Sequence, residues 1–510
     1  MSLYVSLFFG LHDSGAAFAS EDRVLLCLQA ERVFRKKHMR ATPEQMEHLV
    51  LLGLQQLRKT VYDIDTLMVS RWGCTPSRFV TVLGRSFAPL WTGHHANHVG
   101  LARSLGWSSA LAVCADGGSE NGCTGIYLYD GKVYEPVADL DRTLLTGRFY
   151  GTLTQLVIGG DLDQAHVQWP GKTMGVSAFG RYDERLAAFI LDNADRFGLL
   201  RASDTAALAR EIGLDSHPDT FDWHRWNLAH TAQRLWEDLW IEQLAKLSSL
   251  SENLILAGGC ALNVLLNARI RRSGLFSHFF VPPSAGDDGQ ALGALLHQLG
   301  VSCAFPYLGR TWGHARHAPL EAAEDLAAGR IVFWFDGRSE VGPRALGHRS
   351  ILGIPSTVAM RRRLSEEVKQ REWYRPVAPI VLAEDAADWF DTSGDSPWML
   401  EAVPAKARAK AYAPAVVHVD GTCRLQTLAK HDDPVLHGLI RLVREMTGCP
   451  VLMNTSMNLP GEAICDSPDD ARHTFLESGA DALYICGKRY TRASIQPASG
   501  IEETQPCYQI

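Results

Sequence analysis

The sequence predicts an α/β protein in two parts, and three observations carry that reading. Short apolar strands alternate with capped helices in both halves of the chain. Residues 183 to 250 interrupt the alternation with a mainly helical stretch, in which aromatic and aliphatic residues recur every three or four positions between Trp223 and Leu247. Residues 303 to 320, rich in proline, glycine and arginine, then punctuate the chain before a fresh α/β run.

Taken in order, Leu3 to Phe9 reads as a strand, Gly10 to Gly15 as a turn, and Val24 to Gln29 as the second strand of a hairpin with polar groups at its tip. Thr42-Pro43-Glu44-Gln45 is a capping box with proline at the first helical position, and Leu49 and Leu52 continue that helix to about Lys59. Thr66 to Ser70 is a strand. Leu111 to Ala115, Gly125 to Tyr129 and, after an Asp130-Gly131 turn, Lys132 to Tyr134 form an antiparallel ribbon. Beyond the helical insert (about 183–250), Leu254 to Leu256 is a strand, Gly258-Gly259 a tight turn, and Ala261 to Arg272 a helix closed by Gly274. His278 to Val281 and Gln290 to Leu299 repeat the strand and helix. Residues 1–302 therefore read as one domain of two lobes, 303–328 as a linker, and 329–510 as a second domain. Its strands are Ile331 to Phe335, Pro379 to Leu382, Ala415 to Val419, Pro450 to Met453 and Ala482 to Ile485. No internal repeat shows in the sequence.

A chain of 510 residues with 46% apolar and 21% charged side chains is globular and long enough for roughly three packed units. The net charge of -7 gives no general attraction to nucleic acid or anionic membrane. Eleven scattered cysteines contain no CxxC unit, as expected of a reduced cytoplasm. Neither a signal peptide nor a membrane span is expected.

Chemistry-bearing residues form four groups. His94 and His98 are four apart, which on a helix turns both rings to one face, but the glutamate of an HExxH protease is absent. Asp116 and Asp287 each stand in a glycine-flanked turn. Either alone would be an ordinary turn; with the histidine pair they make a donor set for iron, manganese or zinc. Gly171 to Gly175, with Lys172, and Gly258-Gly259 to Asn263 are glycine loops, the second opening a helix whose free amides suit phosphate, although no Walker motif exists. Finally, Arg338, Arg344, His348, Arg349, Lys369, Arg371 and Arg375 put seven cations within 40 residues, among glycine, proline and aromatics, with Arg424 and Asn454-Thr455-Ser456 as further donors. That composition suits a phosphate-rich small ligand, with one or two of the arginines tying domains together instead.

Gly10-Leu11-His12-Asp13-Ser14, Glu31-Arg32 to Lys37, His94 to His98, Gly171 to Gly180, Leu256 to Asn263, Ala285 to Gly293, Gly337 to Leu352, Lys369 to Pro376 and Asn454 to Glu462 occur in this order over almost the whole chain. In that combination the chain resembles the O-carbamoyltransferases of nodulation-factor synthesis and antibiotic tailoring. The resemblance implies an N-terminal ASKHA (actin/sugar-kinase-like) metal-binding domain and a C-terminal YrdC-like domain. It implies that carbamoyl phosphate and ATP, with Mg2+, form carbamoyl-adenylate, and that the carbamoyl group passes to a hydroxyl of a small natural product. By the same resemblance His94, His98, Asp116 and Asp287 hold a divalent metal, Fe2+ before Mn or Zn, and His12 is the general base. Lys37, Lys369, Arg375 and Arg424 form the carbamoyl-phosphate and adenylate pocket, while Lys172, Gly175, Gly258, Gly259, Asn263 and Arg344 contact the nucleotide. Met39, Val341 and Met457 depart from the family pattern and are expected to reshape pocket walls or acceptor choice. The expected acceptor is an aminoglycoside, a nucleoside, a polyketide alcohol or an alkaloid, with no nucleic-acid partner and a homodimer left open. A fused tRNA-threonylcarbamoylation enzyme would need a basic surface, which the charge disfavours. A degenerate regulatory ATP-binding protein would have lost His12 or a metal ligand, and all are present.

Overall fold

The computed structural model describes residues 2–120, 122–137, 144–161, 164–199, 201–214 and 222–495. Two five-stranded sheets build the N-terminal part. The first runs in the order Val24–Gln29, Gly15–Ala19, Leu3–Phe8, Ile64–Ser70, Leu90–Thr92. The second runs Tyr134–Pro136, Thr124–Tyr129, Ala110–Ala115, Asn253–Ala257, His278–Phe280. In both, the first three strands form an antiparallel meander and the last two join in parallel. The sheets thus repeat one topology.

The opening differs from the expected hairpin, because Gly15–Ala19 inserts as a third strand. All five of its residues are buried and none alternates with a polar one, so the segment carries no period-two signal. The helix Pro43–Leu57 forms with its capping box closed on Thr42. The long helix Trp223–Leu247, capped by Asp222, packs Trp236 and Trp240 into a core shared with the second sheet. Burial of aromatic and aliphatic faces of this size contributes about 1.5–3 kcal/mol per side chain.

The two halves of the metal-bearing region meet where the helix His94–Val99 lies against the helix Gln290–Leu299. The contact is close enough that a Cβ on Gly293 would fall 1.8 Å from the Asn97 carbonyl oxygen, so only glycine fits.

The C-terminal part is built on a mixed seven-stranded sheet ordered Gln426–Leu428, Ala378–Leu382, Val451–Ser456, Arg349–Gly353, Val332–Phe335, Ala482–Ile485, Lys488–Tyr490. Within the segment read as a linker, Leu320–Ala327 is a helix packed on this sheet through Ala322, Ala323 and Leu326. The expected strand at Ala415 to Val419 is instead a short 3-10 turn, Pro414–Val416, where proline withholds an amide from any ladder. Arg349–Gly353 is a strand inside the cationic motif, and its glycine- and arginine-rich flanks concealed it. No helix among the described residues is long and apolar enough to cross a membrane.

Candidate active site

The metal-type cluster is assembled from the C-terminal ends of parallel strands, where an open α/β sheet exposes free loops. His94 and His98 follow the strand Leu90–Thr92, Asp116 follows Ala110–Ala115, and Asp287 lies beyond His278–Phe280. His98 Nε2 stands 3.0 Å from Asp116 Oδ2 and 3.3 Å from Asp287 Oδ1. His94 Nε2 stands 3.3 Å from each of those oxygens, and the two Nε2 atoms are 3.2 Å apart. Four donors around an ion with bonds of about 2.0–2.1 Å would be separated by about 3.3 Å in a tetrahedron, so these separations fit a first-row divalent cation. All four ligand atoms lie within 4.8 Å of one another. Without a cation, burial lowers the His98 imidazole, but its hydrogen bonds to Asp116 and Asp287 outweigh that and raise it to about 9.

His12 faces this cluster, with Nε2 3.9 Å from Asp287 Oδ2 and Nδ1 2.8 Å from Asp13 Oδ2. Asp13 is also contacted by His38 Nδ1 at 3.0 Å. Asp13 and His38 both have left-handed backbones, φ 54° and 51°, conformations that persist only where surroundings enforce them. Burial lowers the His12 imidazole, but Asp13 and the charge of Asp287 carry it up to about 9.

One continuous chamber of about 290 Å³ runs from His12, Asp116 and Asp287 to a cluster of cations in the C-terminal part. Gly259 and Asn263 line the metal end, and Lys37, Arg344, Arg371, Arg375 and Arg424 line the other. The guanidinium groups of Arg344 and Arg424 make no hydrogen bond to any described residue, and each leaves a buried Nε unpartnered. Among the described residues the Arg371 guanidinium holds only the hydroxyls of Thr455 (2.9 Å) and Ser456 (3.2 Å). Burial, then Arg375, lowers Arg344 to about 10; burial, then the same neighbour, takes Arg371 to about 9; Arg424 falls well below the usual range through burial, Arg344 and Arg371. Mutually repelling, under-bonded guanidinium groups around a cavity are costly unless an anion binds between them.

Other expected ligands lie outside the chamber wall. Lys369 is fully buried and its ammonium is spent on the Ser456 and Asn458 carbonyls and Asn458 Oδ1 (2.8 Å), so it clamps the loop beyond Val451–Ser456. Lys172 pairs with Glu372 at 2.7 Å and lies over the Trp169 ring. The Gly175 carbonyl accepts from His418 at 3.1 Å. Gly258 packs below the chamber with φ 89°, where a Cβ would meet the Ala115 carbonyl oxygen at 2.3 Å. Gly258→Ala is expected to cost about 2–4 kcal/mol and, by displacing Asp116, to lower metal occupancy; calorimetry and metal analysis check it.

Of the seven clustered cations, Arg338 and Arg349 hold backbone carbonyls, Arg338 tying itself to Leu25 and Leu308. Met39, Val341 and Met457 are buried in three separate hydrophobic clusters and line no part of the chamber, which corrects the expectation that they shape its walls. His348 presents one ring nitrogen to the Arg338 carbonyl and the other to Asp433 (3.1 Å), two acceptors that only an imidazolium satisfies. Burial lowers His348, yet Asp433 leaves it raised; against its own burial, Asp433 is held low by His348. The raised imidazole stabilises below its ordinary value and loses this as pH climbs through the folded value, whereas the lowered carboxyl stabilises above its ordinary value. The pair therefore contributes most at about pH 5–6. Thermal scans of His348→Gln should show the largest deficit there, narrowing toward pH 9.

Sequence reasoning named the metal-type ligands and His12, placed Arg371 only as one of seven clustered cations, and gave no role to Asp13 or His38. Arg371 stood in the cationic motif without a spacing that set it apart, and the left-handed turns at Asp13 and His38 leave no mark in composition.

A cation-lined chamber thus opens onto a cluster of histidines and aspartates. Residues 85–296 match the family described as Carbamoyltransferase N-terminus, and residues 323–492 match Carbamoyltransferase C-terminus. The chain is 30% identical to the nodulation protein NolNO of Sinorhizobium fredii, over 93% of this chain and 78% of that one. It is 32% identical to the nodulation protein NolO of Bradyrhizobium diazoefficiens, over 81% and 82%. An uncharacterized protein of Methanocaldococcus jannaschii matches at 27% over 93% and 97%. The chain belongs to the carbamoyltransferase family and is a transferase.

Proposed function

We propose that this enzyme makes carbamoyl-adenylate from carbamoyl phosphate and ATP and transfers its carbamoyl group to the hydroxyl of a small natural product. The observation that carries this reading is the single chamber, cationic at one end and lined by His12 and two metal-type carboxylates at the other. Lys37, Arg344, Arg371, Arg375 and Arg424 bind the phosphates of both substrates. Water attacks carbamoyl phosphate and releases inorganic phosphate, an oxygen of the resulting carbamate attacks the α-phosphorus of ATP, and pyrophosphate leaves. Asp13 fixes His12 through Nδ1, so that Nε2 faces the reacting end and takes the proton of the attacking hydroxyl. The alcohol oxygen then bonds to the carbamoyl carbon and AMP departs. A divalent cation held by His94, His98, Asp116 and Asp287 would neutralise the departing phosphate and offset the Asp287 charge that raises His12.

Incubation with carbamoyl phosphate, ATP, Mg2+ and a panel of alcohols should release pyrophosphate and, with the right alcohol, AMP. His12→Ala should retain pyrophosphate release and lose transfer about 100-fold or more. Equal transfer by this variant would remove His12 from the mechanism. Threonine and bicarbonate replacing carbamoyl phosphate as substrates would favour the threonylcarbamoylation reading instead.

A further inference from the structure

We propose that residues 31–38 form a strap from the N-terminal part that organises the cationic chamber, with Arg32 and Arg35 as its positioning residues. The inference rests on the proposed adenylate chemistry of that chamber. Both arginines follow the strand Val24–Gln29, Arg32 in the short helix Ala30–Val33 and Arg35 just beyond it, and both reach loops of the C-terminal part. Arg32, almost fully buried, donates to the Gly342 carbonyl at 2.8 Å and lies 3.5 Å from Glu340 Oε2. The other oxygen of Glu340 accepts from the amides of Leu346 (2.8 Å), His348 (2.9 Å) and Arg349 (3.0 Å), and so shapes the loop that presents Arg344.

Arg35 reaches a second loop. It donates to the Ala463 carbonyl, to Glu462 Oε2 (3.0 Å) and to Thr474 Oγ1 (3.1 Å). Glu462 Oε2 also accepts from the Leu459 amide at 2.9 Å, and Asn458, anchored to the Glu462 carbonyl, grips Lys369. The strap's own φ at Arg35 is 58°, and Glu31 closes it by accepting from the His38 amide at 3.0 Å.

This arrangement delivers Lys37 into the chamber. Its ammonium has no acidic partner within salt-bridge distance among the described residues; Glu31 attracts it from further off, and Arg375, Arg371 and Arg344 of the same chamber repel it. At its far end the strap places His38 on Asp13, which holds His12. One short segment therefore touches two loops of the chamber and, through Asp13, the base at the metal end. Guanidinium forks with several fixed acceptors set geometry more tightly than a single ammonium would. A shift of about 1 Å in Lys37 suffices to lose much of a phosphate contact.

The test compares wild type with Arg35→Ala, Arg35→Lys and Thr474→Val, and with Arg363→Ala, which breaks the Asp481 ion pair away from the chamber, as a control. Each is assayed for carbamoyl-phosphate-dependent exchange of labelled pyrophosphate into ATP, for bound metal and for melting temperature. The strap predicts a KM for carbamoyl phosphate at least tenfold higher in Arg35→Ala, partly recovered in Arg35→Lys and about threefold higher in Thr474→Val. Bound metal and the control's KM should not change. A purely structural role would lower the active fraction, and hence kcat, at unchanged KM, and that result would overturn the proposal. If Arg35→Ala fails to fold, Thr474→Val decides, and an unchanged KM there overturns the proposal too. A wild type that exchanges no pyrophosphate would instead overturn the adenylate reading.

Discussion

Asp287→Asn is expected to abolish carbamoyl transfer while leaving pyrophosphate release largely intact. Asp287 supplies Oδ1 to both histidines and stands beside His12 through Oδ2, so it touches both the cation site and the base. An amide keeps the shape but donates neutral oxygen only, and metal affinity should fall about 100-fold or more. Transfer should fall about 1000-fold, because charge on the departing phosphate is then no longer neutralised. The five cations at the other end are untouched by the change. Metal analysis beside separate pyrophosphate and AMP assays checks this; loss of pyrophosphate release in step with the metal would place the cation in the first half-reaction.

Arg424→Met should separate function from stability. The Arg424 guanidinium bonds to nothing among the described residues, its Nε is buried without a partner, and Arg344, Arg371 and Arg375 all repel it. Methionine fills similar space without charge, so the variant should melt a few degrees higher, as expected when about 1 kcal/mol of buried repulsion is removed. Activity should fall in the opposite direction: losing one charge-assisted phosphate contact costs about 2–4 kcal/mol, or roughly 30- to 1000-fold in kcat/KM for carbamoyl phosphate or ATP. Calorimetry and steady-state kinetics on one preparation check both signs. A destabilised variant with unchanged kinetics would mean that Arg424 serves the fold instead of the ligand.

How much of this was legible in the sequence depended on how local the signal was. His94 and His98 could be read because an i, i+4 pair shares a helix face, and Asp116 and Asp287 because glycine-flanked turns mark strand ends. Helix bounds with chemical caps were equally plain: Thr42, Gly274 and Gly300 mark ends that the fold keeps. The two lobes were legible as two α/β runs, but the shared strand order of their sheets was not, since the copies share connectivity without a repeated sequence. Gly15–Ala19 was hidden because a strand buried on both faces shows no alternation.

For the cations, sequence showed a cluster but not which members face the cavity. Lys369, Arg371 and Arg375 occur within seven residues, yet one is a clamp and two line the chamber. That sorting depends on where Asn458, Thr455 and Glu372 arrive from distant or neighbouring turns. Asp13 and His38 were invisible as a pair, because 25 residues and two left-handed turns separate them from a readable motif.

The central claim is that one chamber forms the activated carbamoyl group and spends it on an alcohol. The most direct measurement is a single turnover with metal-loaded enzyme in excess over labelled ATP, quenched before and after adding the acceptor. The account predicts pyrophosphate and an enzyme-bound adenylate in the first interval, with AMP and carbamoylated alcohol appearing together in the second. Carbamoylated alcohol formed without pyrophosphate, by direct attack on carbamoyl phosphate, would contradict it.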